Sequence, residues 1–202
     1  MTHRLIVVPC WGGRPRDYWY PWLQRELARA EPAYYDPVVV ADMPNPDLPT
    51  IPAWVDRLAE IVGSDAGEVE RTVLVAHSVG AQAVVRTLER LSQDVAVAGT
   101  LLVAGWLEVD QPWAAIRPWV ETPIDSARVR AATKWLEVLL SDNDPFTSDY
   151  ETGRRRWTRE YDATVYVESG ARHFNGLSEP SVLHRLDSDP VTLSDGDGTS
   201  SV

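Results

Sequence analysis

The chain has 202 residues, which is long enough for one domain with a full hydrophobic core. Its formal charge of −11 argues against nucleic acid and anionic membrane surfaces as partners, because both repel an acidic protein. No apolar run approaches the roughly 20 residues that cross a bilayer. The single cysteine, Cys10, has no partner for an internal disulfide, so we expect a cytoplasmic protein.

The first part of the chain alternates apolar runs with amphipathic stretches. Residues 5–8 are continuously apolar and predict a strand buried on both faces. Residues 38–40 and 72–75 predict two further strands. Between these strands, apolar side chains recur at helical spacing over residues 18–30 and 50–62. Thr50 stands where it can cap the second of these helices.

The second part continues the same alternation. Residues 95–103 contain a fourth predicted strand, and residues 136–140 and 163–167 predict the fifth and sixth. Strands that alternate with helices indicate an α/β fold with a mostly parallel sheet, in a single domain over residues 1–187. The irregular segment 106–132 predicts either a cap over a site or a pair of surface helices. Residues 188–202 are polar and rich in Gly and Asp, which predicts a disordered acidic tail.

The segment Ala-His-Ser-Val-Gly at residues 76–80 follows the third strand directly and precedes a helix. A serine on a sharp turn between a buried strand and a helix is the nucleophile elbow of α/β hydrolases. The usual first glycine of this motif is Ala76 here. The turn is expected to raise the hydroxyl of Ser78 above the sheet, beside the first amides of the next helix. Those amides favour a developing negative charge.

A serine hydroxyl needs an imidazole to accept its proton, and the imidazole needs a carboxylate to orient it. In α/β hydrolases the chain order is serine, acid, histidine. Asp144 follows the fifth strand and precedes Pro145, with Asp142 as the alternative acid, and His173 follows the sixth strand. Because the carboxyl ends of parallel strands meet at one edge of a sheet, we expect Ser78, Asp144 and His173 to form a catalytic triad.

The remaining parts of such a site are predicted with less detail. Val79 is expected to supply one backbone N–H to an oxyanion hole, and the loop after the first strand, at Cys10 or Trp11, to supply a second. Nine tryptophans in this chain suggest aromatic walls for a substrate pocket. The candidates for those walls are Trp11, Trp106, Trp113 and Trp119.

No dinucleotide, Walker or zinc motif occurs in the chain, so neither a cofactor nor a metal ion is expected. His77 is expected to pack or hydrogen-bond locally. The preferred function is a serine hydrolase that cleaves small carboxylic esters through an acyl-enzyme on Ser78, with amides and thioesters also open. The alternative is a catalytically weak or inactive binding protein with the same fold. Acyl-chain preference, physiological substrate and oligomeric state are left open.

Several segments taken together resemble a known family over residues 4–186. They are residues 9–13, 18–19, 22, 76–81, 143–146 and 173–175. The chain is similar to small serine hydrolases related to retinoblastoma-binding protein 9, in the α/β-hydrolase superfamily. This resemblance implies about six strands in the order 2-1-3-4-5-6. It also implies Ser78, Asp144 and His173 as the triad.

The chain departs from that family's usual pattern at three positions. Cys10, Ala76 and Arg172 stand where glycine is common. None of the three substitutions removes a reactive group. Ala76 adds a methyl group where the strand and helix approach each other, and the elbow is expected to tolerate it. Arg172 is expected to restrict the backbone before His173 or to line the pocket opening.

Overall fold

The computed structural model describes residues 2–187 and contains a six-stranded parallel sheet. The strand order is β2-β1-β3-β4-β5-β6, which confirms the predicted fold class and topology. The predicted tail over residues 188–202 lies outside the described residues. The strands are β1 His3–Val8, β2 Tyr35–Val40, β3 Thr72–His77, β4 Gly99–Val103, β5 Leu136–Ser141 and β6 Thr164–Glu168.

Helices cover both faces of the sheet. Alternate side chains of β1 point to opposite faces, so Leu5 and Val7 join one core cluster and Ile6 and Val8 join the other. Within residues 2–187 the helices are α1 Tyr20–Leu27, α2 Ile51–Val62, α3 Ala66–Glu70, α4 Val79–Arg90, α5 Arg117–Glu121, α6 Ser126–Ala131, α7 Tyr150–Tyr161 and α8 Pro180–His184. Helices α1 and α8 contribute to one cluster, and α2, α4 and α7 to the other.

Two predictions about helices were wrong, and one helix was missed. Helix α1 begins at Tyr20 and not at residue 18, because Tyr18 has a φ of 50°, which a right-handed helix does not contain. Thr50 precedes α2, but its side chain makes no capping hydrogen bond. The short helix α3 was not predicted, although Asp65 caps it by accepting the Glu68 N–H at 2.9 Å.

The irregular segment 106–132 contains a helix pair, one of its two predicted forms. Its second half is a helix pair, α5 and α6, and α6 packs against α4. Arg86 on α4 donates hydrogen bonds to the carbonyls of Trp119 at 2.8 Å and Thr122 at 2.9 Å, and Gln82 donates to the carbonyl of Trp106. Burial lowers the pKa of Arg86 to about 10. These bonds tie the segment to the helix that follows Ser78.

Two further findings concern residues 2–187. None of the helices in this range combines the length and apolarity that a membrane crossing requires. No group of three or more His, Cys, Asp or Glu side chains in this range is placed to hold a metal ion.

Candidate active site

The serine between β3 and α4 has an unusual backbone. Ser78 has a φ of 56° and a ψ of −118°, a conformation that L residues rarely adopt and that places its side chain at the tip of the turn. The helix must pass close to β1, because a Cβ on Gly80 would lie 2.6 Å from the carbonyl oxygens of Val8 and Pro9. Ala76 is fully buried near the end of β3, so its methyl group is accommodated.

The structure brings the three predicted triad residues into one hydrogen-bond chain. The His173 Nε2 lies 2.8 Å from the Ser78 Oγ, and the His173 Nδ1 lies 2.7 Å from the Asp144 Oδ2. A carboxylate can only accept, so Nδ1 carries the hydrogen and Nε2 accepts the hydroxyl hydrogen of Ser78. The other Asp144 oxygen accepts the Phe146 N–H at 2.9 Å. All three of these residues are buried. This arrangement can take a proton from a serine hydroxyl.

The alternative acid, Asp142, faces a different set of partners. Its carboxylate accepts the Gly170 N–H and the Ser169 hydroxyl, both at 2.8 Å, and makes no bond to His173. The hydrogen bond from the Gly170 backbone is the main cause that holds the pKa of Asp142 below its ordinary value, and the bond from Ser169 lowers it further. The structure therefore places Asp144, and not Asp142, beside the imidazole.

The loop that carries His173 is held by side chains from other elements. Arg172 and Phe174 have φ values of 55° and 53°, so both neighbours of the histidine occupy the left-handed region that favours glycine. The Asn143 side chain accepts the Arg172 N–H at 2.7 Å, and the Trp19 indole donates to the Phe174 carbonyl at 3.0 Å. The predicted restriction at Arg172 thus takes the form of a left-handed backbone that these bonds stabilise. The supporting roles of Asn143 and Trp19 were not predicted.

His77 is fully buried and links the base loop to the loop after β1. Since a carbonyl only accepts, the His77 Nε2–H donates to the His173 carbonyl at 2.8 Å, and Nδ1 accepts the Tyr20 hydroxyl at 2.9 Å. The Tyr20 oxygen in turn accepts the Cys10 N–H at 3.0 Å. Burial is the main cause that lowers the pKa of His77 to about 3. The expectation of local bonding was wrong, because the two partners lie 57 and 96 residues away.

This network separates the two candidates for the second oxyanion donor. The Cys10 amide is occupied by Tyr20, whereas the amides of Trp11 and Val79 donate to no acceptor within residues 2–187. The Trp11 amide is therefore the available donor of the pair. Burial raises the pKa of the Cys10 thiol, which disfavours its reactive thiolate form.

A cavity of about 340 Å³ reaches the candidate nucleophile and base. Three of the four predicted tryptophans line it, namely Trp11, Trp106 and Trp113. The prediction for Trp119 was wrong, because its ring is buried against Trp54 and its indole N–H donates to the Pro49 carbonyl at 3.2 Å. Lining residues that were not predicted as pocket walls are Tyr18, Val109, Ile116, Phe146 and Asn175.

Comparison with known proteins gives one family match and related structures. A family model described as serine hydrolase matches residues 5–182. The chain is 26% identical over 177 residues to YdeN of Bacillus subtilis (strain 168), covering 86% of this chain and 87% of YdeN. The crystal structure of the ydeN gene product matches with a TM-score of 0.77 at 24% identity, over 92% of this chain and 97% of that one.

Two more distant structures share the fold. Est1E from Butyrivibrio proteoclasticus matches with a TM-score of 0.65 at 14% identity, over 96% of this chain and 88% of Est1E. The RedJ thioesterase from the prodiginine biosynthetic pathway in Streptomyces coelicolor matches with a TM-score of 0.62 at 15% identity, over 93% of this chain and 90% of RedJ. Because the sequence identities are this low, the two structural matches show a shared α/β-hydrolase fold alone.

Proposed function

Because the chain belongs to the serine hydrolase family, we propose that it cleaves small carboxylic esters, and also thioesters or amides, through an acyl-enzyme on Ser78. The observation that carries this proposal is the hydrogen-bond chain from Asp144 through His173 to Ser78. A wide gap between His173 and Ser78 would favour the alternative of an inactive binding protein, but the two side chains are only 2.8 Å apart.

In the first half of the proposed reaction, the Ser78 oxygen attacks the carbonyl carbon of the ester while His173 Nε2 takes its proton. The carboxylate of Asp144 stabilises the imidazolium that forms. The amides of Val79 and Trp11 donate hydrogen bonds to the negatively charged carbonyl oxygen. Each such donor contributes roughly 3–4 kcal/mol to transition-state stabilisation in related chemistry.

In the second half, His173 returns the proton to the departing alcohol oxygen, which leaves the acyl group on Ser78. A water molecule then attacks the acyl carbon as His173 takes a proton from it. As this second tetrahedral intermediate collapses, His173 returns that proton to the Ser78 oxygen, which releases the carboxylic acid and restores the serine hydroxyl.

The cavity supports an uncharged, largely apolar substrate. Among the described residues that line it, the titratable side chains are those of Cys10, Tyr18 and His173. None of these lining residues is Asp, Glu, Lys or Arg. Est1E has been solved with ferulic acid, a carboxylic acid, and RedJ is a thioesterase, so both neighbours point to carboxylic acid derivatives. Three expectations from the sequence stay predictions. They are the relation to retinoblastoma-binding protein 9, the cytoplasmic location and the absence of nucleic acid or membrane partners.

A fluorophosphonate probe tests the nucleophile directly, because it reacts with activated serines. The wild-type protein is expected to be labelled once, at Ser78, and Ser78→Ala to lose the label. The same substitution is expected to lower ester turnover by on the order of a thousandfold or more.

The matched control is Ser92→Ala, which removes an exposed serine just beyond the opposite end of α4. It should be labelled and turn over esters like the wild type. Equal labelling of the wild type and Ser78→Ala would contradict the proposal, and so would a folded wild-type protein that is not labelled.

A further inference from the structure

Aromatic rings form a row along one side of the cavity. The rings of Trp11 and Trp113 meet edge to face, with centroids 5.4 Å apart, and the Phe146 and His173 rings do so at 4.7 Å. Trp113 and Phe146 join these two pairs with centroids 6.5 Å apart. The row therefore runs from the loop of the proposed oxyanion donor to the proposed general base.

The cavity has a closed end and an open end. Trp106 and Ile116 line it with only 5% and 2% of their surface exposed. Trp113 and Phe146 also line it, but 42% and 41% of their surface is exposed. Because Trp113 and Phe146 are neighbours, together they form an exposed apolar patch beside the cavity, which is typical of a ligand-binding groove.

The chemistry of the proposed reaction assigns the open end to one part of the substrate. His173 must donate a proton to the leaving oxygen, so this oxygen lies within hydrogen-bond reach of Nε2. The group attached to it then lies beside the His173 ring, where Phe146 packs. The acyl group is attached to the carbonyl carbon and extends away from His173.

Resting on the proposed function, we infer that Phe146 and Trp113 form a binding site for the aromatic alcohol portion of the ester. An aryl ring in this position gains edge-to-face contacts with the two side chains, beyond what a saturated ring of similar size gains by burial. No charged side chain among the described lining residues competes for the position, which favours an uncharged aryl group.

Matched ester pairs test this inference. Benzyl acetate and cyclohexylmethyl acetate share the acyl group and the CH₂–O linkage and differ in the aromaticity of the ring. The kcat/KM for the benzyl ester is expected to exceed that for the cyclohexylmethyl ester by about 3- to 10-fold, the range that one or two aromatic contacts supply.

Two variants locate the preference. Phe146→Leu and Trp113→Leu are each expected to bring the benzyl to cyclohexylmethyl ratio towards one. Both residues are partly exposed, and thermal melting checks that the variants fold. The control is Leu177→Ala, which removes an 82% exposed side chain that does not line the cavity and should leave the ratio unchanged.

A second pair places the ring on the acyl side. Ethyl phenylacetate and ethyl cyclohexylacetate are expected to show a ratio that neither Phe146→Leu nor Trp113→Leu changes. If all four esters are turned over but the benzyl ester is not preferred to the cyclohexylmethyl ester, this inference alone is overturned. It is also overturned if the substitutions change the ratio for the acyl-side pair and not the ratio for the alcohol-side pair. Absence of turnover together with absence of Ser78 labelling overturns the proposed function and this inference with it.

Discussion

At the scale of single residues, two carboxylates two positions apart have different surroundings. Asp144 is buried and bonded to the imidazole of His173, whereas Asp142 is exposed and bonded to Ser169 and Gly170. A carboxylate can orient and stabilise an imidazolium only through direct contact. The two residues should therefore differ sharply in their effect on turnover.

We predict that Asp144→Asn lowers kcat by on the order of 10³- to 10⁴-fold, because an amide at this position favours the wrong imidazole tautomer and cannot stabilise its charge. Asp142→Asn is the matched control. We expect it to change kcat by less than about tenfold, because it alters only the hydrogen bonds to Ser169 and Gly170 in the loop before His173. Steady-state kinetics on one ester measures both. A larger loss from Asp142→Asn than from Asp144→Asn would reverse the assignment.

At the scale of secondary-structure elements, the position of Ser78 depends on how closely α4 approaches β1. The approach is possible because Gly80 has no side chain towards the carbonyl oxygens at the end of β1. Gly153 in α7 is a contrasting case, because a Cβ there would meet only a Leu140 methyl group at 3.9 Å. Close packing against β1 therefore requires glycine at position 80, whereas nothing in the packing requires it at position 153.

We predict that Gly80→Ala lowers the free energy of unfolding by about 1–3 kcal/mol, the usual cost of forcing an extra carbon into a packed site. It should also lower turnover, since backbone atoms of the elbow must shift. Gly153→Ala is the control and should raise stability by about 0.5–1 kcal/mol through helix propensity. Urea unfolding measures both values, and equal stability of the two variants would refute the close-approach argument.

At the scale of the whole molecule, one buried imidazole connects segments that are far apart in the chain. His77 at the end of β3 bonds to Tyr20 of α1 and to the backbone of His173 after β6. Its pKa is about 3 in the folded protein against an ordinary value of 6.5. Between these values the unfolded chain binds a proton that the folded protein does not. The stabilisation is therefore complete above pH 6.5 and is lost as the pH falls towards 3.

This difference gives a measurable pH dependence of global stability. Lowering the pH from 7.5 to 5 should remove about 2 kcal/mol of the free energy of unfolding through His77 alone. The folded variant His77→Gln cannot titrate at this position, so its loss over the same range should be smaller by about that amount. His184→Gln, which replaces an exposed histidine of α8, is the control and should lose as much stability as the wild type. Identical pH dependence in wild type and His77→Gln would contradict the role of His77.

The strand positions and the chain order of Ser78, Asp144 and His173 could be predicted from the sequence, and the strand order from a family resemblance. Continuous apolar runs predict buried strands, and parallel strands bring their carboxyl ends to one edge. These are short-range patterns combined with a rule of topology. They explain why the structure places Ser78 and Asp144 within hydrogen-bond distance of His173.

The contacts of each loop could not be predicted from the sequence and follow from the tertiary structure. It placed Trp119 in the core and not in the cavity, occupied the Cys10 amide with Tyr20, and gave His77 its distant partners. A side chain near the end of a strand can turn towards solvent, core or cavity, and its local sequence is similar in each case. Burial and hydrogen bonding depend on how segments 10 to 96 residues apart in the chain pack together.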